Sequence, residues 1–192
     1  MTLITTIAPL VDQEVIGLKL FNIVVSHQPG RDSYMEALRY LRAYLPDFRV
    51  QYTRQSIILG KVNDPYKAVE ILRARLPPDS PILRVIPVDE VTPPFLEDVI
   101  DAVKRLYPSR IPTSAKFAVR VEGRLYRRGD GNEVSRLEAQ RLIGDVVDRD
   151  VNLSKPDYLI LVKVVRIQRD LAYAAIMIAP PSSVYSRSAA HR

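Results

Sequence analysis

The residues of this chain most able to do chemistry are a run of arginines and lysines between positions 104 and 128. The run holds eight basic residues and one acid, Glu122, so its net charge is +7, against +6 for the whole chain of 192 residues. The positive charge is therefore local. A local excess of this kind is typical of a surface that binds a polyanion such as RNA. The charge alone also fits a solvated basic face that binds nothing.

Residues suited to other chemistry are few. The chain has no cysteine and two histidines, His27 and His191, which excludes disulfides and thiolate metal sites and disfavours a zinc site. Asp145, Asp148 and Asp150 lie close together but lack the spacing of calcium ligands. The sequence contains no nucleotide-binding glycine motif and no nucleophile elbow. We therefore expect a protein that is not an enzyme and uses no cofactor or metal.

A loop containing two glycines follows the basic run and leads into a helix. Gly129 and Gly131 precede Ser135 and Glu138, which have the spacing of a capping box. Backbone N–H groups at such a helix start can bind phosphate, although the glycines could serve only as turn residues. Together with the charge excess, the pattern favours a phosphate site. The predicted RNA-binding residues are Arg110, Lys116, Arg120, Arg124, Arg127, Arg128 and Arg136.

The hydrophobic pattern places these residues in the second half of an α+β protein. The first half reads as β-α-β-β-α-β, the order of a ferredoxin-like domain, and we expect this domain over residues 1–91. Its elements are predicted at 20–26, 32–45, 48–53, 56–62, 64–76 and 82–88.

The second half is predicted to be a separate domain over residues 92–180. Thr92 is expected to cap a helix over 94–106, and a strand over 115–121 alternates so that Lys116 and Arg120 share an exposed face while Phe117 shares the opposite, buried face. A helix starting at Ser135 and a hairpin of strands, 158–166 and 171–179, follow. Residues 181–192 are polar and rich in serine, and we expect a loose C-terminal tail.

Residues 92–180 resemble a THUMP domain. The resemblance is carried by pieces that occur in the family's order, and one departure is Lys163, where an acidic residue is expected. The matching pieces are the strand with Phe117 and Arg120, the helix start at Ser135 and Glu138, Ile143-Gly144, 151–153, Pro156-Asp157 and the final hairpin.

The resemblance implies a function in tRNA modification. Proteins with a THUMP domain bind tRNA, and they use a ferredoxin-like domain and the THUMP domain together to hold the acceptor stem and the 3′ end. They normally carry a catalytic domain, for which this chain is too short. The chain is similar to the stand-alone type that assists a cytidine acetyltransferase in forming 4-acetylcytidine, so the resemblance implies an adaptor that presents tRNA to a separate enzyme. An adaptor for methylation or thiolation, and a ribosome-associated RNA-binding protein, are the alternatives.

Hydropathy gives no sign of a membrane segment. No apolar run approaches the roughly 20 residues that span a bilayer, and the N-terminus lacks the basic start of a signal peptide. We expect a cytoplasmic protein with no membrane partner.

Overall fold

The computed structural model describes residues 21–187, and these residues fold into an α+β structure of two five-stranded sheets, a small hairpin and four helices. The mixed α+β class is therefore confirmed. The helices are α1 (Arg31–Tyr44), α2 (Pro65–Arg75), α3 (Leu96–Arg110) and α4 (Arg136–Gly144). The strands are β1 (Ile23–His27), β2 (Arg49–Arg54), β3 (Ile57–Lys61), β4 (Ile82–Pro87), β5 (Glu90–Thr92), β6 (Lys116–Glu122), β7 (Leu125–Tyr126), β8 (Glu133–Val134), β9 (Asp150–Val151), β10 (Tyr158–Gln168), β11 (Leu171–Ala179) and β12 (Tyr185–Ser186).

The first sheet has the strand order β12-β4-β1-β3-β2, and every neighbouring pair is antiparallel. Helix α2 begins as the sequence predicts, because Asp64 accepts hydrogen bonds from the N–H groups of Tyr66 and Lys67, both at 3.1 Å, and Pro65 occupies the first helical position. Helix α1 buries Ala37, Leu38 and Leu41. The two helices pack with the sheet around a common apolar cluster.

The prediction of a loose tail is wrong for residues 181–187. Val184 follows a short 3-10 turn, and Tyr185 then pairs with Val85 of β4, so β12 becomes the edge strand of the first sheet. The Tyr185 side chain is 3 % exposed, and the guanidinium of Arg73 donates to the backbone oxygens of Ser182 and Val184. The buried Tyr185 side chain holds this segment against the first sheet. The polar composition of the segment does not predict this burial. Residues 188–192, with His191, and residues 1–20 lie outside the described chain.

The second sheet has the order β5-β11-β10-β6-β9, in which β6 is parallel to both β10 and β9. The hairpin of β10 and β11 confirms that prediction. Helices α3 and α4 cover one face and bury an apolar cluster that includes Phe117 and Ile160.

Helix α3 differs from its prediction at both ends. The hydroxyl of Thr92 donates to the carbonyl of Pro93 rather than capping the helix, which begins after Phe95. The helix was predicted to end at residue 106, but α3 continues through Pro108 to Arg110, although proline lacks an N–H. Arg110 is therefore the last residue of the helix.

The other face of the second sheet packs against the first sheet. Residues of both sheets share one apolar cluster, with Val24 and Ile86 on one side and Leu161 and Met177 on the other. The chain passes from the first sheet to the second between β4 and β5, so β5 spans the predicted boundary at residue 91. No helix among residues 21–187 combines the length and the apolar character needed to cross a bilayer.

Candidate nucleic-acid interface

Strand β6 carries two of the predicted residues, Lys116 and Arg120, on the sheet face away from α3 and α4. Both side chains are exposed. Ala118 lies between them on the same face and is buried between the two sheets. The first sheet therefore covers part of this face. The opposite face carries Phe117, which is 1 % exposed and lies in the core. The predictions of a buried Phe117 and of exposed Lys116 and Arg120 are confirmed.

Arg120 lies on a groove between the two sheets, which we call the inter-sheet groove. Its volume is about 670 Å³. Its lining comes from both halves of the chain and includes Arg84 of β4, Glu122 of β6, and Ser182 and Ser186 of the C-terminal segment. The groove could admit an extended anion with Arg120 on its wall.

Arg84 is a groove residue that the sequence reading missed. Its Nη1 lies 2.6 Å from Oε2 of Glu122, and Nζ of Lys163 lies 3.4 Å from the same oxygen. Burial alone would raise the pKa of Glu122, but the hydrogen bond and charge of Arg84, with a contribution from Lys163, hold that pKa below its ordinary value. A lone arginine in the apolar strand 82–87 was the available signal. Lys163, the departure from the THUMP pattern, thus serves to neutralise Glu122.

Three predicted arginines lie in or near the hairpin of β7 and β8, and all three are paired with acids. Arg124 lies 3.5 Å from Glu133 and Arg127 lies 3.0 Å from Glu138. Arg128 forms an ion pair with Asp98 of α3, and its guanidinium lies 4.7 Å from the centre of the Phe95 ring.

The glycine loop does not form the predicted phosphate cradle. The N–H of Gly131 donates to the carbonyl of Arg127 at 2.9 Å, the N–H of Asn132 donates to Asp130 Oδ1 at 2.9 Å, and the N–H of Arg128 donates to Glu97 Oε2 at 3.0 Å. Gly131 has φ of 70°, a turn conformation that suits glycine. These donors are occupied, and the loop is the tip of the hairpin rather than the start of a helix.

Helix α4 begins one strand later, at Arg136. Ser135 caps it by accepting a hydrogen bond from the N–H of Glu138 at 3.2 Å, which confirms half of the capping box. The carboxylate of Glu138 pairs with Arg127 instead of returning to the cap. Arg136 is exposed and makes no ion pair with any residue from 21 to 187.

Arg110 stands apart from the other predicted residues. Its Nη1 lies 3.0 Å from Asp89 Oδ1, and the Asp89 side chain is 2 % exposed. The Tyr66 hydroxyl donates to the same carboxylate at 2.9 Å, and the N–H of Ile178 donates to it at 2.7 Å. Burial raises the pKa of Asp89 against these interactions, and burial followed by the charge of Asp89 raises the pKa of Tyr66. Arg110 therefore supports a buried carboxylate at the junction of the two halves.

The seven predicted residues thus fall into three places. Lys116 and Arg120 lie together on the face with the inter-sheet groove. Arg136 and the hairpin arginines lie on the α3 and α4 side of the second sheet, and Arg110 lies in a third place. Acids distant in sequence neutralise much of the linear charge excess. Among the described residues no group of three or more histidines, cysteines, aspartates or glutamates has a geometry that could hold a metal ion.

A sequence model described as the THUMP domain matches residues 95–168. The chain contains a THUMP domain. The matched segment runs from the start of α3 to the end of β10 and includes the α3, β6 and α4 scaffold. All seven candidate residues, from Arg110 to Arg136, fall within it. No curated protein matches the chain as a relative.

Solved structures resemble the fold at low sequence identity. PH1313 from Pyrococcus horikoshii OT3 has a TM-score of 0.58 and 16% identity, over 82% of this chain and 54% of that chain. TrmN from Thermus thermophilus has a TM-score of 0.50 and 14% identity, over 82% of this chain and 46% of that chain. A 4-thiouridine synthetase in complex with RNA and bound ATP has a TM-score of 0.47 and 13% identity, over 83% and 42%. This chain spans about half the length of these proteins, and at identities this low PH1313 and TrmN show a shared fold alone.

Proposed function

We propose that this protein binds tRNA by its acceptor stem and 3′ end and presents it to a separate modification enzyme. The observation that carries the proposal is a THUMP domain in which Lys116 and Arg120 are exposed on the same face of β6 and Arg120 lines the inter-sheet groove. Arginine and lysine supply most of the affinity of proteins for nucleic acid through phosphate contacts. A narrow groove favours a single-stranded end over a duplex.

We also propose that the first half is a ferredoxin-like domain that takes part in binding. The order β4-β1-β3-β2 with antiparallel neighbours, and helices after β1 and β3, supports this interpretation. Both halves line the groove, since Arg84 comes from the first and Arg120 from the second. An RNA end in the groove would therefore contact both halves.

The proposed partner is a cytidine acetyltransferase, because the chain resembles the stand-alone type of THUMP protein. Methylation and thiolation enzymes fit the same features equally well, since the chemistry would lie in the other protein. In this proposal the chain itself is an adaptor without catalytic activity and works in the cytoplasm. Incubation of the purified chain with tRNA, acetyl-CoA and ATP tests the first point, and modified nucleoside formed without a partner would contradict it.

The tRNA-binding proposal is tested by comparing intact tRNA with the same tRNA lacking its terminal CCA. We expect trimming to weaken binding by about 1 kcal/mol or more, the scale of one lost stacked base, whereas exchange of anticodon arms should have little effect. Arg120→Glu should remove the difference between the two RNAs, and Arg39→Glu, on the exposed face of α1, is the matched control. Equal binding of both RNAs by the unaltered protein would exclude end recognition. Equal binding of tRNA and ribosomal RNA fragments would favour the ribosome-associated alternative.

A further inference from the structure

The outer edge of β6 has backbone groups at its centre to which no residue from 21 to 187 bonds. The N–H of Asp157 donates to the carbonyl of Lys116 on the β10 side, and the N–H of Asn152 donates to the carbonyl of Phe117 on the opposite side, both at 2.9 Å. Successive residues of a strand direct their backbone groups to alternate sides. The N–H and C=O of Val119 and Val121 therefore point outward, away from β10.

Strand β9 covers only the beginning of this edge. It pairs with Lys116 and Phe117, and the chain then turns away at Asn152, whose side chain accepts a hydrogen bond from the N–H of Lys155 at 3.0 Å. The outward N–H of Val121 donates to Gln140 Oε1 at 3.1 Å. Among residues 21–187 no group bonds to the outward N–H or C=O of Val119.

Exposed aliphatic side chains border this open position. Leu137 is 78% exposed, Val151 58% and Leu153 80%, and these are three of the four large apolar side chains that the described residues leave exposed. With Val119 and Gly144 they line a cleft of about 340 Å³ between α4 and the edge of β6, which we call the edge cleft. Contiguous exposed apolar surface usually marks a binding site.

The charged residues that line the edge cleft, Arg141 and Asp145, pair with each other at 3.6 Å, and further charged residues lie beyond its two ends. Helix α4 runs antiparallel to β6, because Gln140 reaches Val121 and the later Gly144 lies against Val119. Arg136 therefore lies toward the far end of β6, whereas Asp148 and Asp150 lie toward its beginning. A chain with one acidic and one basic end is complementary to this arrangement.

We propose that the edge cleft binds an extended segment of another protein, which adds as a short strand to β6. The backbone of an extended polypeptide supplies, at the spacing of a strand, both an acceptor for the N–H and a donor for the C=O of Val119, and alternate aliphatic side chains of the strand would contact Leu137 and Leu153. The segment would have an acidic residue at its Arg136 end and a basic residue at its Asp150 end. The edge cleft adjoins the inter-sheet groove at the edge of β6, since Val119 and Leu153 line both. The proposal does not depend on RNA binding.

The test uses blocked nine-residue peptides with alternating valine and threonine, two glutamates at one terminus and two lysines at the other. Both charge orders are made, since the strand could run either way along β6. Versions with N-methyl groups on the central residues cannot form the backbone hydrogen bonds. Affinity is measured by fluorescence anisotropy, and amide exchange of Val119 by NMR. We expect one charge order to bind, to slow exchange at Val119, and to lose about tenfold or more in affinity on N-methylation, since a hydrogen bond and its desolvated partner are lost together.

Variants of the protein locate the site. Leu137→Glu and Leu153→Glu should each weaken peptide binding about tenfold. Met35 is the fourth of the exposed apolar residues and lies on α1, away from the edge cleft, so Met35→Glu should leave peptide binding unchanged. Gly144→Leu should fill the cleft without breaking the fold, because a Cβ at Gly144 would have Val119 Cγ2 as its nearest neighbour at 3.8 Å. Thermal unfolding confirms that each variant is folded.

The results distinguish a peptide from RNA as the ligand of the edge cleft. The proposal would be overturned if Met35→Glu weakened peptide binding as much as Leu137→Glu does. It would also be overturned if neither charge order of the peptide slowed amide exchange at Val119. Loss of tRNA binding in folded Gly144→Leu, with no peptide binding to the unaltered protein, would assign the edge cleft to RNA and also overturn it. Normal tRNA binding by Gly144→Leu together with lost peptide binding would support it. If tRNA binding by the unaltered protein fails while a peptide still protects Val119, only the proposed tRNA function is contradicted.

Discussion

The guanidinium of Arg110 lies 3.0 Å from the carboxylate of Asp89, a side chain that is 2 % exposed. Asp89 lies just before β5, and Arg110 ends α3, so the pair fixes the end of a THUMP-domain helix to the connection between the two sheets. Tyr66 of α2 donates to the same carboxylate. An arginine selected from the sequence for RNA binding thus has a structural partner that the local charge pattern does not show.

Arg110→Ala should lower the free energy of unfolding by about 2–4 kcal/mol. Removing one partner of a buried ion pair costs about 3–5 kcal/mol, and the 39% exposure of the Arg110 side chain reduces that figure because solvent screens the pair. Urea unfolding measures the change. Arg39→Ala, which removes an exposed pair with Glu36, should change stability by less than about 0.5 kcal/mol. An unchanged stability together with weaker tRNA binding would instead place Arg110 in the RNA interface.

Stability should depend on pH through Glu122. Its pKa lies below the ordinary value of 4.5 in the folded chain, because the interactions with Arg84 and Lys163 outweigh burial. A carboxyl group with a lowered folded pKa stabilises the fold above its unfolded pKa and loses that contribution as pH falls through the folded pKa. Glu122→Gln should therefore be less stable than the unaltered protein by about 1–2 kcal/mol at neutral pH, and the difference should close in the acid range below 4.5.

The stability of Glu122→Gln must be compared with that of the unaltered protein at each pH, because Asp89 adds a pH dependence of its own. Its pKa is raised by burial, so its contribution has the opposite sign and is lost as pH rises through the folded pKa. Both proteins contain Asp89, and the difference between their urea unfolding free energies at each pH isolates Glu122. A difference that stays constant from neutral to acid pH would show that the carboxylate charge of Glu122 does not stabilise the junction.

Exposed cations that form no ion pair within residues 21–187 should contribute more to tRNA binding than paired cations. Each phosphate contact adds roughly 0.7–0.9 to the slope of log K against log salt, so Lys116→Ala and Arg120→Ala should each flatten the slope by about that amount. Arg124→Ala and Arg127→Ala remove the same charge, but from ion pairs with Glu133 and Glu138, and should flatten it less. Gel-shift titrations at several salt concentrations measure the slopes. Larger effects at Arg124 and Arg127 than at Lys116 and Arg120 would move the interface to the hairpin.

The parts of the site that the sequence could predict depend on local rules. Alternation along β6 was enough to place Phe117 in the core and Lys116 and Arg120 on the other face, because side chains of a strand alternate whatever its neighbours are. The cap at Asp64 and the start of α4 at Ser135 also depend on residues within one helical turn.

The parts that it could not predict join residues distant in the chain. Arg84 reaches Glu122, and Arg128 reaches Asp98, only because the sheets and helices pack together, and no local pattern encodes such pairs. The glycine loop was assigned a phosphate site because its N–H groups looked free, whereas Asp130 and Glu97 accept from them in the fold. Net charge along the sequence therefore overestimated the net charge of the surface.

The last prediction concerns β12. This strand has two residues, which are too few to give a strand pattern in the sequence. Tyr185 is 3 % exposed, packs into the apolar core of the first sheet, and pairs in register with Val85. Burial raises its pKa, as expected for a phenol in an apolar site. Tyr185→Ala should therefore cost about 3–5 kcal/mol, the range for removing a large aromatic side chain from a core.

The measurement is urea unfolding, with hydrogen exchange of the β4 amides as a local readout. Loss of β12 should expose the edge of β4 and speed exchange at Val85, which pairs with Tyr185, while exchange in β10 should change only in proportion to global stability. Tyr185→Phe is the matched control, since it keeps the ring in the core and should cost less than about 1.5 kcal/mol. If Tyr185→Ala is as stable as the unaltered protein, the burial of Tyr185 does not stabilise the first sheet.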